Sequence, residues 1–482
     1  MFDLRPVGYV LGLLVLTLGV TMLVPLVADV LAGNGHWGAF AEACAITVLT
    51  GLFVTLACAN GVSKGLTIQQ TFILTTGVWL VLPLFGALPF IFGDSQLRVV
   101  DAFFEAMSGL TTTGATIITD IDTLPVGLNL WRGLMQWFGG IGIIVVAMVF
   151  LPELRVGGMQ IFRSEGFDTF GKILPRAGEI ASRISVIYVA LTILCALTYS
   201  ALGMAPFDAI MHAFTTISTG GFSNYNASFG AFQGPLEYAG AFFMLLASLP
   251  FVRYIQLVAG TARPILIDSQ IRAYLATILT IVVGLALYRV FANGTGPEVA
   301  LREGLFNVVS IVSGTGYAST DYQVWGAVAV PAFFFMGLIG GCAGSTSCSI
   351  KVFRYQLLFA AVATQVRRLY APHGIFEPRY EGRPVAEEVL SSVMAFFVLF
   401  FVTLGIMAVL LGLTGLDVIT SVSGAAAALG NIGPGLGDMI GPDGTYAAVN
   451  DPAKWILSAA MLIGRLELMA VMVLFTSAFW RA

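Results

Sequence analysis

DAFFEAMSGLTTTGAT (101–116), DAIMHAFTTISTGGFS (208–223) and EGLFNVVSIVSGTGYA (303–318) align without a gap. In each, an acid stands thirteen residues before a glycine: Gly114, Gly221 and Gly316. A fourth stretch, DVITSVSGAAAALGNIGPG (417–435), needs a three-residue offset to bring Gly433 into register. Each stretch reads as a helix of about 11 residues, about 16 Å long and so half the hydrocarbon thickness of a bilayer. Such a helix cannot cross and must dip in and return. Irregular backbone at membrane depth is tolerated only where protein buries it or it lines a wet cavity, so four such dips imply one shared aqueous path.

On either side of these stretches the chain is apolar. It has 482 residues, 57% hydrophobic and 10% charged, with a mean hydropathy of +0.90. A soluble surface needs roughly 25% charged residues, so this chain is solvated mainly by lipid. Ten runs qualify as spans: 7–31, 40–60, 70–93, 130–151, 184–203, 235–258, 272–293, 324–339 with its continuation, 390–412 and 455–479. The run after Arg5 exceeds the ~7–15 residues of a signal core and reads as a retained helix. The expected fold is an all-α polytopic membrane protein. Four pseudo-fourfold repeats of helix, short pore helix, glycine strand and helix follow two leading helices. The expected division is 1–66 for the leading pair, then 67–155, 156–260 with a cytoplasmic loop, 261–370, and 371–482.

After each short helix comes a glycine segment: Thr112-Thr113-Gly114-Ala115, Thr219-Gly220-Gly221-Phe222, Gly314-Thr315-Gly316-Tyr317 and Asn431-Ile432-Gly433-Pro434. Glycine lets the backbone turn successive carbonyls toward one axis. Four such strands make stacked oxygen rings that replace an ion's hydration shell, as potassium filters do. None contains a carboxylate, the ligand that calcium and magnesium sites use. The negative ends of the four helix dipoles point to the membrane centre and favour a cation there.

Basic residues set the orientation. Arg155, Arg163, Lys172, Arg176 and Arg183 share one loop; Arg253, Arg263 and Arg272 another; Lys351, Arg354, Arg367, Arg368, Arg379 and Arg383 a third. Arg5, Lys64 and Arg481 fall on the same side, which places both termini in the cytoplasm. The opposite segments carry Asp101, Glu105, Asp120, Asp122, Asp208, Glu303, Asp321, Asp417, Asp438, Asp443 and Asp451. They either concentrate cations at an outer mouth or form a hydrated loop surface. The net charge of −4 argues against a nucleic-acid partner. Three histidines and five cysteines are too scattered for a metal cluster or disulfide framework, and the cysteines read as packing residues.

Two features lie below the expected filter. After Ile339 comes Gly340-Gly341-Cys342-Ala343-Gly344-Ser345-Thr346-Ser347, a break in helix that is either an intramembrane loop or a cytoplasmic turn. Arg465 lies along the last run, where a buried charge faces a cavity or a partner. It either pairs with Glu467 or loop carbonyls, or stands near the pore and latches the loop. Arg289, near an outer helix end, reads as snorkelling to the interface.

TTTGAT (111–116), STGGFS (218–223), SGTGYA (313–318) and GNIGPG (430–435), with GGCAGSTSC (340–348) and GRLEL (464–468), resemble the TrkH/TrkG/KtrB/HKT superfamily of potassium transporters, most of all its TrkH branch. The resemblance covers essentially the whole chain. It implies potassium as the transported ion and a homodimer with one pore per subunit in the bacterial inner membrane. It also implies a cytoplasmic nucleotide-binding regulatory ring of the TrkA type, and a gate made of the loop at Gly340, Gly341, Gly344, Ser345, Thr346 and Ser347 together with Arg465. In the superfamily, serine at the first filter glycine goes with sodium permeation, and Gly114 here implies potassium. The chain departs from the pattern at Cys348 and Ser349, where glycine is common.

Other classes fit less well. An ion-coupled symporter with a midplane site needs more ionisable residues inside the spans. An enzyme needs paired carboxylates or histidines, a nucleotide hydrolase a GxxxxGK[ST] loop, and a voltage sensor an arginine at every third position. None of these occurs.

Overall fold

A computed structural model describes residues 3–61, 66–93, 95–150, 158–159 and 177–481. Lys64, Arg155, Arg163, Lys172 and Arg176, and most of the loop 152–183, lie outside these residues.

The leading pair is α1 (Arg5–Thr21) running on as α2 (Leu23–Ala32), and α3 (Trp37–Cys58). Small residues let α1 and α3 touch backbone to backbone, as in membrane helix pairs generally. A methyl group placed on Gly51 would lie 2.5 Å from the Leu16 nitrogen, and one on Gly12 would lie 2.5 Å from the Thr55 hydroxyl.

The first repeat holds α4 (Ile68–Gly86), the short α5 (Val99–Leu110) and α6 (Val126–Val145). The second holds α7 (Ala177–Ala201), the short α8 (Pro206–Ile217), α9 (Pro235–Ala247) and α10 (Phe251–Val258). In the third, α11 (Ser269–Asn293) leads to the short α12 (Pro297–Ser313), and α13 (Ala329–Gly337) and α14 (Val352–Tyr370) flank residues 338–351. The fourth has α15 (Glu387–Leu413), the short α16 (Val418–Gly430), α17 (Asp451–Arg465) and α18 (Leu468–Met472). A two-stranded ribbon, β1 (Arg379–Tyr380) with β2 (Arg383–Pro384), precedes α15.

Among the described residues, seven helices are long and apolar enough to cross a membrane, and two bent pairs bring the number to nine. Two runs expected to be continuous are broken. Between α9 and α10 the chain turns by 90°, and between α17 and α18 by 112°. Pro250 ends the first, since it cannot donate to the preceding turn. At the second, Glu467 takes a left-handed conformation with φ of 60°. The expected 324–339 span contains only the nine residues of α13.

The four short helices occupy the centre. Every residue of α5 from Asp101 to Leu110 is buried, whereas the long helices turn many large apolar side chains outward, as hydrocarbon surroundings require. α12 has 17 residues, longer than the reading of about 11. The three-residue offset of the fourth motif has a physical reason. Asp417 lies just before α16 as its cap, accepting from the Ile419 and Thr420 amides, whereas Asp101, Asp208 and Glu303 sit inside their helices.

Candidate functional site

Each short helix ends in a residue with left-handed backbone: Thr112 (φ 52°), Thr219 (51°), Gly314 (80°) and Asn431 (50°). Two positions on, Gly114, Gly221 and Gly316 are left-handed again, at 83°, 77° and 80°. The fourth segment keeps a negative φ at Gly433, so its glycine is not required by dihedral angle.

Close approach requires all four. A methyl on Gly114 would lie 2.1 Å from the Gly220 carbonyl, and one on Gly221 would lie 2.0 Å from the Thr315 carbonyl. A methyl on Gly316 would lie 2.7 Å from the Gly433 nitrogen, and one on Gly433 would lie 2.8 Å from the Gly114 carbonyl. The contacts run from first segment to second, third, fourth and back to first. The ring is closed. All four glycines also line one cavity of about 330 Å³, together with Ala115, Phe222, Pro434, Asp443 and Tyr446.

Side chains brace the ring from behind. Gln136 of α6 donates to the Gly220 carbonyl (2.6 Å) and accepts from the Phe222 amide (3.1 Å), so it brackets Gly221. Glu105 and Arg132 form a fully buried ion pair at 2.9 Å. Glu105 also accepts from Thr116 and Ile117. Arg132 donates to the Ser223 carbonyl (2.8 Å), and its guanidinium lies 4.2 Å over Phe222. This pair ties the first segment to the second. In the third, Ser310 donates to the Tyr317 carbonyl, and Asn307 exchanges hydrogen bonds with Ser319. Tyr446 donates its hydroxyl to the Gly433 carbonyl (3.0 Å) and its amide to the Thr116 carbonyl. Asn431 donates to Thr113 and to the Met461 carbonyl. The carbonyls of Gly220, Tyr317 and Gly433 are thus engaged by protein donors.

The acids at the cavity side are mostly structural. Asp101 holds Lys454 (2.7 Å) and Arg98; Asp451 holds Arg98; Asp208 accepts from Asn224 and Tyr225. Arg289 does not snorkel. It is buried, pairs with Glu303 at 2.8 Å and lies 4.1 Å over Trp325. Asp443 alone of these acids lines the cavity. Partial burial and the nearby Asp321 carboxylate push its carboxyl above the usual range.

On the far side of the ring, residues 340–348 are buried, not a surface turn. Gly340 and Gly341 let the two legs pack, since a methyl on Gly340 would lie 2.0 Å from the Cys348 carbonyl. The break at 248–250 serves the loop. Thr346 donates to the Ala247 carbonyl, Cys342 to that of Ser248, and the Phe251 amide to that of Gly344. Ser345 donates to the Cys342 carbonyl (2.7 Å), which closes the loop's tip. Ser347 donates to the Ser313 carbonyl (2.5 Å) at the end of α12, and the Cys348 sulfur lies 3.7 Å from the Thr112 hydroxyl. The loop therefore lies directly against the ring.

Arg465 ends α17 at the bend of the last run, 455–479, which is not one continuous span. It donates to the carbonyls of Thr346 (3.4 Å) and Gly139 (3.2 Å) and touches Cys348. A loop carbonyl (Thr346), the Cys348 sulfur and an α6 carbonyl (Gly139), not Glu467, are its partners; Glu467 pairs with Arg354. Cys348, read as a packing residue, is the point where loop, ring and Arg465 meet. The cavity on this side is only about 40 Å³, and its lining includes Ser347, Lys351, Asn431 and Arg465. Gln136, Arg132 and Tyr446 escaped the sequence reading because they lie outside the repeated stretches, and Glu105 reads from sequence only as one of the outer acids. Arg132, a charge within an apolar run, was the one available signal. No group of three or more histidines, cysteines and carboxylates gathers among the described residues.

Residues 39–481 match the TrkH family, described as a cation transport protein. The Trk system potassium uptake protein TrkI of Halomonas elongata is 43% identical, over 99% of this chain and 97% of that one. TrkH of Escherichia coli is 36% identical over 99% of both. The crystal structure of the potassium transporter TrkH from Vibrio parahaemolyticus superposes with a TM-score of 0.92 at 33% identity, covering all of both chains. The chain described here belongs to the TrkH family of cation transport proteins and is a multi-pass bacterial membrane protein.

Proposed function

We propose that this chain is the potassium-conducting subunit of an uptake system, with the four glycine segments as its filter. The observation that carries this is the closed ring of Gly114, Gly221, Gly316 and Gly433 around one cavity. The wide cavity faces outward and both termini face the cytoplasm, in keeping with the basic loops. Uptake is driven by the membrane potential, at about 2.3 kcal/mol per charge per 100 mV. The relatives named as potassium uptake proteins support the choice of ion, as does glycine, not serine, at position 114.

The loop at 340–349 is the gate in this reading, with Arg465 as its latch. Its contacts with Ser313 and Thr112 support that assignment. The four repeats take the divisions 67–155, 156–260, 261–370 and 371–482, a homodimer sits in the inner membrane, and a TrkA-type ring regulates the gate. Liposomes containing the purified chain, loaded and assayed for rubidium against sodium uptake, test the reading. Rubidium uptake well above sodium is expected; equal uptake of both refutes potassium selectivity.

A further inference from the structure

A cavity of about 440 Å³ lies between α1, α4 and α6 and is lined by apolar side chains, among them Leu14, Leu74, Val78, Phe138 and Val145. The hydroxyl hydrogens on its wall are all engaged within the helices, that of Ser185 by the Ala181 carbonyl. Thr17 donates to the Leu13 carbonyl, Thr21 to that of Leu18 and Thr75 to that of Thr71. A cavity walled mainly by hydrocarbon, with only scattered hydroxyl oxygens, is a poor site for ordered water, which needs two to four polar partners, and a void of this size is foreign to close-packed protein. All three helices are membrane-crossing ones, so the medium at this depth is hydrocarbon.

We propose that this cavity is a binding site for one acyl chain of a bilayer lipid. Its deep wall is shared with the candidate latch. Gly139, whose carbonyl accepts from Arg465, and Trp79, whose ring lies 5.6 Å from that guanidinium, both line it. The seated chain therefore packs against the residues that hold Arg465. Occupancy itself does not depend on whether the loop gates.

The test is carbene labelling. The full chain is reconstituted in phosphatidylethanolamine and phosphatidylglycerol vesicles whose acyl chains carry a diazirine, irradiated, and mapped by mass spectrometry. Adducts are expected on Val78 and Phe138 as well as on the outward-facing Leu80 and Leu84, which are 46% and 51% exposed. Gly142→Phe fills the cavity from a position where an added carbon meets only the Trp79 ring, at 3.8 Å. It should abolish the Val78 and Phe138 adducts and leave those on Leu84. Leu14→Trp fills it from the opposite wall should the first variant fail to fold. Labelling confined to Leu80 and Leu84 in the parent overturns the proposal, whether another copy or another segment of the chain covers the cavity. Adducts that persist in both folded variants overturn it as well.

Discussion

Replacing Arg465 by alanine removes one positive charge from the inner end of the proposed path. The guanidinium touches Cys348, whose sulfur is 3.7 Å from the Thr112 hydroxyl. For an ion taken to sit on the order of 8 Å from the charge, at an effective dielectric of about 20, their repulsion is about 2 kcal/mol. A barrier lowered by that amount speeds passage roughly thirtyfold. The substitution also frees the Thr346 and Gly139 carbonyls, so the loop loses one tether, and both effects act in the same direction. Arg465→Lys keeps the charge but loses the fork that reaches two carbonyls at once, which separates repulsion from tethering. The assay is rubidium uptake at fixed membrane potential, normalised to reconstituted protein. A lysine variant near the parent and an alanine variant many times faster are expected if charge dominates. An Arg465→Ala protein that is correctly reconstituted and no faster than the parent refutes the reasoning.

Gln136→Leu removes both hydrogen bonds that bracket Gly221, and should reduce rubidium-over-sodium preference while leaving expression near normal, as read from paired uptake assays. Gly221→Ala forces a methyl to within 2.0 Å of the Thr315 carbonyl at a left-handed position and should abolish uptake. Glu105→Ala leaves Arg132 buried and unpaired, at a cost of about 3–5 kcal/mol, seen as a lower melting temperature in detergent. Shortening 340–348 should raise rubidium flux, and a deletion no more conductive than the parent counts against the gate. Asp443, its pKa raised by burial and Asp321, is charged above that pKa and neutral below it. Lowering external pH should therefore cut uptake at low rubidium in the parent, and less in Asp443→Asn.

Much of this was legible because the repeat is a property of backbone conformation, which glycine writes into sequence. The left-handed positions of Thr112 and Thr219 were not read, since threonine there carries no signal of that backbone, although alignment sets them opposite Gly314 and Asn431. The breaks at 248–250 and 466–467 were not legible. Both lie inside strongly apolar runs, and hydropathy records solvent and not direction. Pro250 was the single clue to the first, while the left-handed Glu467 pairs with Arg354, a partner 113 positions away. The braces are equally long-range. Gln136 meets Gly220 across 84 positions and Tyr446 meets Thr116 from another repeat, so no local pattern announces them.

The loop's resting partners carry a consequence for conduction. In the structure the oxygens of Ala247, Ser248 and Ser313 are occupied by amide and hydroxyl hydrogens from residues 342–347. Withdrawal of those donors strands three buried acceptors, which protein interiors do not leave unmatched. Water or another donor must then take the place of the loop's hydrogens. If the loop gates as proposed, opening it must therefore re-satisfy the same three oxygens on which it rests when closed.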